Sequence, residues 1–243
     1  MEKADLSPDE ELRAIVCHLK RLLAFDREMG LEAPGLSPST RTYLEKGPSG
    51  DETLESLEKC LRACARCKLS GGRTNIVFGE GSAGAGLVFV GEAPGKEEDQ
   101  AGRPFVGEAG RLLTRIIQDG MGLKREEVYI CNVVKCRPPE NRDPERDEIE
   151  TCLPFLKRQL ALIRPQVICT LGRIAAQALI GGDFRITRER GKWFTYMGVP
   201  VMPTFHPAYI LRNPGRELEL KRQVWVDIQN IMKRMGLETK GNA

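Results

Sequence analysis

The sequence predicts an α/β fold: a three-layer α/β/α sandwich with a central, mainly parallel sheet of four strands, preceded by an N-terminal helical extension. Four short apolar runs have the length and composition of buried strands: residues 87–91, 128–134, 166–172 and 199–205. Helical patterns alternate with them, at residues 108–119, 144–163, 173–180 and 217–235. Strands separated by such helices favour parallel pairing through right-handed crossovers, with helices on both faces of one sheet.

The first 50 residues are predicted to be a helix and a linker, so that the main domain spans residues 51–243. Ser7 is suited to be an N-cap with Pro8 at the first helical position, and apolar residues then recur at helical spacing for about five turns. We interpret this helix as a packing element. Residues 30–50 are rich in Gly, Pro, Ser and Thr without a sustained period, which is typical of a linker.

Two local signals refine the order of elements in the main domain. Asp143 is predicted to cap the helix at 144–163, with Pro144 at its first position. Residues 79–84 match the G-x-G-x-x-G pattern of dinucleotide-binding loops, but that pattern should open a helix and here it runs into a strand. We therefore interpret residues 79–84 as a glycine-rich turn.

Four distinctive segments lie at or after the ends of the predicted strands. GEAPG follows the first strand, Asn132 lies late in the second, LGR follows the third and Phe205-His206-Pro207 follows the fourth. In parallel α/β sheets, ligands bind at the carboxyl ends of the strands. We therefore expect these four segments to form one binding crevice.

The composition is that of a folded domain and excludes several classes of protein. The 243 residues are 41% hydrophobic and 29% charged, enough to bury a core without disulfides. No apolar run approaches a membrane span, and the acidic start MEKADLSPDEELR lacks a secretory core. Eight cysteines in such a chain favour reduced thiols and metal ligation, hence a cytoplasmic location. A net charge of +3 leaves the partner open.

Four cysteines are spaced as ligands of one metal site. Cys64-x-x-Cys67 brings two thiolates together on one turn of the chain, and Cys136 and Cys152 can complete a four-thiolate shell. Their separations are wider than in compact zinc ribbons, which favours an iron–sulfur cluster, with zinc as the alternative. Either group would pin the helical segment before the sheet onto the edge of the sheet.

The remaining cysteines have simpler interpretations. Cys17 falls on the N-terminal helix, and Cys131 and Cys169 fall inside strands, all as small apolar residues. Cys60 lies upstream of Cys64 in a spacing that matches the three-cysteine motif of radical S-adenosylmethionine enzymes. That motif lies in a loop after the first strand of a long barrel, whereas this segment has a helical pattern ahead of the first clear strand. We therefore interpret Cys60 as a residue of that helix.

Four stretches of the main domain resemble, in the same order, the motifs of the family 4 (thermostable-type) uracil-DNA glycosylases: CARCKLSGGRTNIVFGEG, VFVGEAPGKEEDQAGRPFVGEAGRLL, VYICNVVKCRPPENRDP and PTFHPAYILRNP. The resemblance covers residues 54–235 and says nothing about residues 1–50. It implies an α/β/α fold and a [4Fe-4S] cluster in a monofunctional DNA repair enzyme. The cluster cysteines of the family fall on Cys64, Cys67, Cys136 and Cys152, which favours iron and sulfur over zinc and leaves Cys60 as a surplus residue.

The chemistry of uracil excision gives roles to residues of the crevice. A glycosylase must flip the nucleotide out of the stack, hold the base and stabilise charge as the bond breaks. Asn132 has an amide that can pair with uracil O4 and N3–H, a pattern that cytosine lacks. The resemblance implies that Phe105 stacks on the base and that His206 donates a hydrogen bond to uracil O2. We predict Asn132 and His206 to be catalytic as well as uracil-binding.

The GEAPG segment is predicted to bind uracil through Gly91, Glu92 and Ala93. Its glycines let backbone amides approach the base. Glu92 is the third predicted catalytic residue, and its predicted role is to position the attacking water. Ala93 stands where glycosylases of another family have Asp, so an obvious general base is missing. If bond breaking leads and forms an oxocarbenium-like sugar, a strong base is less necessary.

Two further predictions concern the surroundings of the base. Glu97 is predicted to border uracil C5 and exclude the thymine methyl group, the alternative being a solvated acid in an acidic run. The segment 206–214 is predicted to be an exposed DNA-binding loop, in which Tyr209 and Leu211 form an apolar wedge and Arg212 meets a phosphate. The alternative is that residues 209–211 begin a packing helix.

These features together predict an enzyme of DNA repair. It flips uracil out of DNA and hydrolyses the N-glycosidic bond, leaving an abasic site for base excision repair. The competing hypothesis is a non-catalytic nucleic-acid-binding or redox iron–sulfur protein, which would have little reason to keep both Asn132 and His206. The expected partner is uracil-containing DNA, with downstream repair proteins beyond it, and we expect a monomer with no membrane contact.

Overall fold

The computed structural model describes residues 52–237, so the predicted N-terminal helix, its Cys17 and the linker lie outside the described residues. One six-stranded sheet has the order β1-β3-β2-β4-β6-β5. The strands are Glu80–Gly81 (β1), Leu87–Gly91 (β2), Tyr129–Asn132 (β3), Val167–Leu171 (β4), Phe194–Tyr196 (β5) and Val199–Thr204 (β6). The four predicted strands are confirmed as the parallel centre of this sheet.

The sheet has two more strands than the sequence predicts. β1 pairs antiparallel with β3 at one edge, and β5 pairs antiparallel with β6 at the other. Both are very short, and neither is a buried apolar run. Such strands are defined by their hydrogen bonds to the adjacent strand and not by buried side chains. They therefore leave no periodic pattern of apolar residues in the sequence.

Helices cover both faces of the sheet: Leu54–Arg62 (α1), Lys96–Ala101 (α2), Glu108–Arg115 (α3), Arg146–Ile163 (α4), Arg173–Ile180 (α5), Ile186–Glu189 (α6), Pro207–Leu211 (α7) and Glu217–Met235 (α8). The predicted helices correspond to α3, α4, α5 and α8, and α3 continues as a π-helical turn at Ile116–Gly120. Val88 and Val90 of β2 pack with α1, α4 and α5, whereas Leu87 and Phe89 pack with α3 and α8. The three-layer sandwich is therefore confirmed.

Helix α4 begins at Arg146 and not at Pro144, so the prediction that Asp143 caps it is wrong. The N-cap is Glu145, whose backbone N–H donates to Glu148 Oε2 at 2.7 Å. The Asp143 carboxylate instead accepts a hydrogen bond from Arg173 Nη2 at 2.6 Å. Local sequence could not decide between the two caps because the partner of Asp143 lies on another helix.

The segment after His206 is helical, which corrects the prediction of an exposed loop. Helix α7 follows β6 closely, and Pro207 stands at its first position, where the missing N–H costs nothing. Ile210 is fully buried in the core, and Tyr209 and Leu211 are half-buried. The alternative of a packing helix is therefore the correct one, because Ile210 anchors the segment to the core.

The predicted glycine-rich turn is present only after residue 81, because Glu80 and Gly81 form strand β1, and no helix begins within residues 79–84. β1 ends at Gly81, and the Ala85 N–H donates to Ser82 O at 3.2 Å before β2 begins. Gly81 has a φ of 124°, and a Cβ there would lie 1.9 Å from Val128 O. Glycine is therefore required at this position by close backbone packing and not by a bound phosphate.

Candidate active site

A cavity of about 600 Å³ opens at the carboxyl ends of the parallel strands. Residues at or after the ends of β2, β3, β4 and β6 line it, so the four predicted segments do form one crevice. The predicted site residues on its wall are Glu92, Ala93, Phe105, Asn132, His206, Tyr209 and Arg212. Gly91, Glu97 and Leu211 do not line it.

The inner end of the cavity lies where β2 and β3 end side by side. Gly91 and Asn132 are paired in register, and the Val133 N–H donates to Gly91 O at 2.9 Å. A Cβ on Gly91 would lie 2.4 Å from Asn132 Oδ1 and 2.5 Å from Phe105 Cζ. Asn132 is 1% exposed, and within the described residues its Oδ1 has no hydrogen-bond partner. Because a buried acceptor without a partner is costly, this amide is suited to a ligand.

For the uracil excision that the sequence motifs imply, Gly91→Ala is expected to lower the rate about tenfold or more, because the added methyl group displaces the Asn132 amide or the Phe105 ring. The measurement is the single-turnover rate on a uracil-containing oligonucleotide, with thermal unfolding as a check of the fold. Gly182→Ala is the matched control, since a Cβ there meets no atom within 4 Å. Equal rates for the two variants would contradict the inference that Gly91 leaves the space that the Asn132 amide and the Phe105 ring need.

Phe105 adopts an uncommon backbone conformation at the cavity wall. Its φ is 51°, in the left-handed region that aromatic residues rarely occupy. Gly110 permits this conformation, since a Cβ at Gly110 would lie 1.9 Å from Phe105 O. The centroid of the Phe105 ring lies 5.6 Å from that of His206. The structure thus places an aromatic face beside the imidazole, where a flat base can stack.

Glu98 holds the Phe105 loop, a role that the sequence analysis missed. Its Oε1 accepts hydrogen bonds from the N–H groups of Val106 and Gly107 at 3.0 and 2.9 Å. Its Oε2 accepts one from Gly95 N–H at 3.1 Å, so one carboxylate joins GEAPG to the loop after Phe105. The acid three residues after Gly95 is the signal of a capping box, which could have identified it.

His206 is the N-cap residue of helix α7 and an uncharged donor. Its Nδ1 accepts a hydrogen bond from the Ala208 N–H at 3.1 Å, so the neutral ring carries its proton on Nε2. Burial, with a smaller effect of the Arg212 cation, lowers the pKa of His206 to about 4. At neutral pH the ring therefore offers one N–H and no charge.

Glu92 is an acid that titrates near neutral pH. The Val134 N–H donates to its backbone O at 3.1 Å, which fixes the GEAPG segment to the chain just after β3. Burial raises the pKa of the Glu92 carboxyl to about 7, with a further contribution from Asp143, while Arg173 and Arg212 oppose the rise. A carboxyl group with this pKa can accept a proton from a reactant and release it again.

Glu97 lies apart from the cavity. Its Oε2 is 3.8 Å from Arg111 Nη1, and both side chains are mostly exposed. The structure thus gives no contact that would support thymine exclusion, and that role stays a prediction. The neighbouring acids are not simply solvated, since Asp99 is buried and accepts hydrogen bonds from the N–H groups of Thr74 and Asn75.

Helix α7 carries the three residues predicted to bind DNA. Tyr209 packs against Phe205 with ring centroids 5.2 Å apart, and both line the cavity. Arg212 is exposed at the end of the helix, where its Nε donates to Ala208 O at 3.2 Å. Leu211 packs against the core instead. The geometry thus puts Tyr209 and Arg212 at the cavity, and the DNA-binding roles of all three stay predictions.

The loop after β3 contributes further residues to the wall: Pro138, Asn141, Arg142 and Asp143. Glu140 and Asn141 have φ values of 54° and 56°, in the left-handed region. The run of polar residues between Pro139 and Pro144 could have predicted this part of the wall. Prolines on both sides favour a loop, and a polar loop at a strand end presents polar groups to a ligand.

The four predicted ligand cysteines come together at a second, small cavity. Cys64 and Cys67 follow α1, Cys136 follows β3 and Cys152 lies on α4, and all four line it. Among the described residues, no three His, Cys, Asp or Glu side chains are placed to hold a single metal ion. Cys60 is exposed on α1.

Comparison with known proteins identifies the family. The model of the uracil DNA glycosylase superfamily matches residues 78–229, and the chain belongs to this superfamily. It is 49% identical to the Type-4 uracil-DNA glycosylase of Sulfurisphaera tokodaii over 172 residues, which are 68% of this chain and 78% of the relative. For the Type-4 enzyme of Thermotoga maritima the identity is 48% over 181 residues, 74% and 93% of the two chains.

A Type-5 uracil-DNA glycosylase of Pyrobaculum aerophilum is 30% identical over 152 residues, which are 56% of this chain and 67% of the relative. The Type-4 relatives thus match this chain at higher identity and over more of its length. Within the superfamily the chain is a member of the type-4 family. This confirms the resemblance drawn from its motifs.

Proposed function

We propose that the protein hydrolyses the N-glycosidic bond of deoxyuridine in DNA, releasing uracil and leaving an abasic site, as the first step of base excision repair. The observation that carries the proposal is the buried Oδ1 of Asn132, which lies beside Phe105 and has no hydrogen-bond partner within residues 52–237. This oxygen can accept from uracil N3–H while the amide nitrogen donates to O4, whereas cytosine presents an acceptor at N3 and a donor at C4. The names of the type-4 relatives support the same activity.

Two side chains at the cavity supply the remaining chemistry. As the C1′–N1 bond breaks, its electron pair passes to the base, and uracil O2 gains negative charge. His206 donates its Nε2–H to that oxygen, because its Nδ1 is occupied by Ala208 N–H. The oxygen of a water molecule forms the new bond to C1′, and the proton that it loses passes to Glu92, whose pKa is about 7.

We also propose that Cys64, Cys67, Cys136 and Cys152 hold a [4Fe-4S] cluster. Their thiols line one small cavity, and Arg73 Nη1 donates to Cys136 Sγ at 3.3 Å. When bound, the cluster joins the segment after α1 to α4, and uracil hydrolysis requires no electron transfer from it. A cluster on four thiolates needs reduced cysteines, in line with the proposed cytoplasmic location.

Anaerobically purified protein is expected to contain four iron and four sulfide ions per chain and to show a broad charge-transfer band in the visible spectrum. Cys136→Ser is expected to lose iron, because it removes a ligand from the buried side of the cavity. Cys60→Ser is the matched control, since that thiol is exposed on α1. Stoichiometric zinc in place of iron would contradict the proposed cluster.

The proposed partner is DNA that contains uracil, bound by one protein molecule. Tyr209, which lines the cavity, is proposed to face the gap left by the flipped base, and Arg212 to meet a phosphate. Leu211 packs against the core and is only half-buried, so its part in the proposed wedge is limited to its exposed portion. Downstream repair enzymes would then act on the abasic product.

No helix within residues 52–237 has both the length and the apolar character that a membrane crossing requires.

The test of the proposed function is an oligonucleotide with a single uracil, incubated with the cluster-loaded protein and then treated with alkali to cut abasic sites. Strand cleavage at the uracil position is expected. The same oligonucleotide with cytosine or thymine at that position should stay intact. An uncut uracil strand would favour the competing hypothesis of a binding or redox protein.

The excision rate is expected to fall below about pH 7, because only ionised Glu92 accepts a proton and its pKa is about 7. This fall in rate is the acid limb of the pH–rate profile. The pKa of His206, about 4, keeps that ring neutral throughout the acid limb. Asp143→Asn removes a nearby negative charge and should move the limb about half a pH unit lower, a modest shift because Asp143 is 64% exposed. Arg173→Gln removes a cation and should move the limb higher.

Single-turnover rates across the range of about pH 5 to 9 measure both shifts. Asp119→Asn makes the same charge change at an exposed position that does not line the cavity and should leave the limb in place. If the limb is absent, or stays in place in both variants, Glu92 does not accept the proton of the attacking water.

A further inference from the structure

Lys135 is a fully buried lysine whose hydrogen-bond partners are both neutral. Its side chain is 0% exposed, whereas buried lysines are rare unless they are paired with an acid. The ammonium Nζ donates to the backbone O of Asn132 at 2.7 Å and to Gln159 Oε1 at 2.5 Å. Among residues 52–237, no carboxylate forms an ion pair with it. A charged lysine at this position requires an anionic neighbour, because an unbalanced buried charge is costly.

The cysteine cavity is where such a neighbour would lie. Lys135 lines this cavity together with the four cysteines proposed to hold the cluster. A [4Fe-4S] core with four thiolates carries a net negative charge, and cations near the sulfur atoms set its reduction potential. Arg73, which donates to Cys136 Sγ, is a second cation on the same wall.

The same hydrogen-bond network holds strand β3 at both of its ends. Gln159 Nε2 donates to Phe78 O at 2.9 Å and to the hydroxyl oxygen of Tyr129 at 3.0 Å. Tyr129 is the first residue of β3, and Asn132, whose carbonyl Lys135 holds, is the last. The amide of Asn132 therefore reaches the base-binding cavity from a backbone that is tied to the cysteine cavity behind it.

We propose that Lys135 is a positioning residue that joins the cysteine cavity to the base-reading end of β3. Its ammonium balances the charge of the cluster and at the same time holds the carbonyl of Asn132. This inference rests on the proposed function, since it requires a cluster in one cavity and uracil in the other. An apolar side chain of similar length would fill the same space but leave the carbonyl unpaired and the cluster charge unbalanced.

Lys135→Met tests both parts of this inference, because methionine keeps most of the length and loses the charge and the donor. The cluster potential, measured by voltammetry, should fall, since a lost cation disfavours the more negative reduced state. The single-turnover excision rate should fall about tenfold or more at unchanged DNA affinity. Amide hydrogen exchange in residues 129–134 should become faster.

Lys135→Gln separates the two effects and replaces the first variant if that one does not fold. The amide keeps a donor for the Asn132 carbonyl but no charge, so the potential should fall as in Lys135→Met while more of the excision rate is kept. Lys157→Met is the matched control, because Lys157 is an exposed lysine on α4. It should change neither the potential nor the rate.

The outcomes separate this inference from the proposed function. Wild-type protein that excises uracil and holds a cluster, together with an unchanged potential, rate and exchange in Lys135→Met, would overturn the inference alone. Wild-type protein without excision would overturn the proposed function, and the potential and the exchange would still decide the role of Lys135. A changed rate with an unchanged potential would overturn the charge-balancing part.

Discussion

Replacing His206 by alanine is expected to slow single-turnover excision of uracil by about 10²- to 10³-fold, the size of effect seen when one donor to a developing oxyanion is removed. Its Nδ1 is fixed by the Ala208 N–H at 3.1 Å, so Nε2–H is the only donor that the neutral ring offers. The hydrogen bond to uracil O2 strengthens as the base leaves, and its loss therefore affects the chemical step. DNA affinity, measured by fluorescence anisotropy with a uracil-containing duplex, should change less than about threefold.

His206→Gln is the matched variant for this prediction. The glutamine amide nitrogen can reach the region of Nε2 and keep a donor there, so its rate should lie between those of wild type and His206→Ala. Equal loss of rate and of DNA affinity in His206→Ala would mean that the residue stabilises the bound substrate and the transition state equally. It would then not stabilise the departing base specifically. A glutamine variant as slow as alanine would show that the ring itself is needed, beside Phe105.

Asn132→Leu is expected to lower the excision rate by about 10³-fold or more, because a site built to hydrogen-bond the base loses its donor and its acceptor together. The two side chains have the same number of heavy atoms and the same branching at Cγ, so packing at the end of β3 should survive. Asn132 is 1% exposed, and its Oδ1 has no hydrogen-bond partner in the part of the chain that the structure describes. Removing that unpartnered atom should leave the melting temperature unchanged or raise it.

The combination of lost activity and kept stability is what distinguishes a base-reading residue from a structural one. Thr170→Val provides the control: Thr170 Oγ1 is also buried without a hydrogen-bond partner among the described residues, but Thr170 does not line the cavity. That variant should keep its excision rate. If Asn132→Leu excises uracil at the wild-type rate, the amide does not read the base.

The structure also shows how the free protein keeps its base-binding cavity open. Phe105 is held at a φ of 51° over Gly110, and Glu98 binds the loop that follows it through two backbone N–H groups. Such a conformation persists only where its surroundings determine it. The aromatic face and the Asn132 amide are therefore held in place without a ligand, which would lower the cost of binding the flipped base in the proposed reaction.

The sequence by itself determined the parts of the protein that depend on neighbouring residues. Apolar runs and helical periods identified the four central strands and the helices α3, α4, α5 and α8. The positions of Asn132 and His206 at strand ends indicated one crevice, and the spacing of the cysteines indicated a common site; both groups do come together. These inferences succeed because the periodic pattern of apolar residues can be read from neighbouring residues alone. Once the strands are known to be parallel, the residues at their carboxyl ends must lie at the same edge of the sheet.

Only the tertiary structure decided the interactions between segments that are distant in sequence. It placed Asp143 against Arg173 and not at a helix cap, and it gave Glu98 to the backbone of the Phe105 loop. It showed that Ile210 anchors α7 in the core, and that Lys135 joins Asn132 to the cysteine cavity. The physical reason is that a polar or charged side chain pairs with whatever group folding brings within hydrogen-bond distance, and neither periodicity nor composition records that partner.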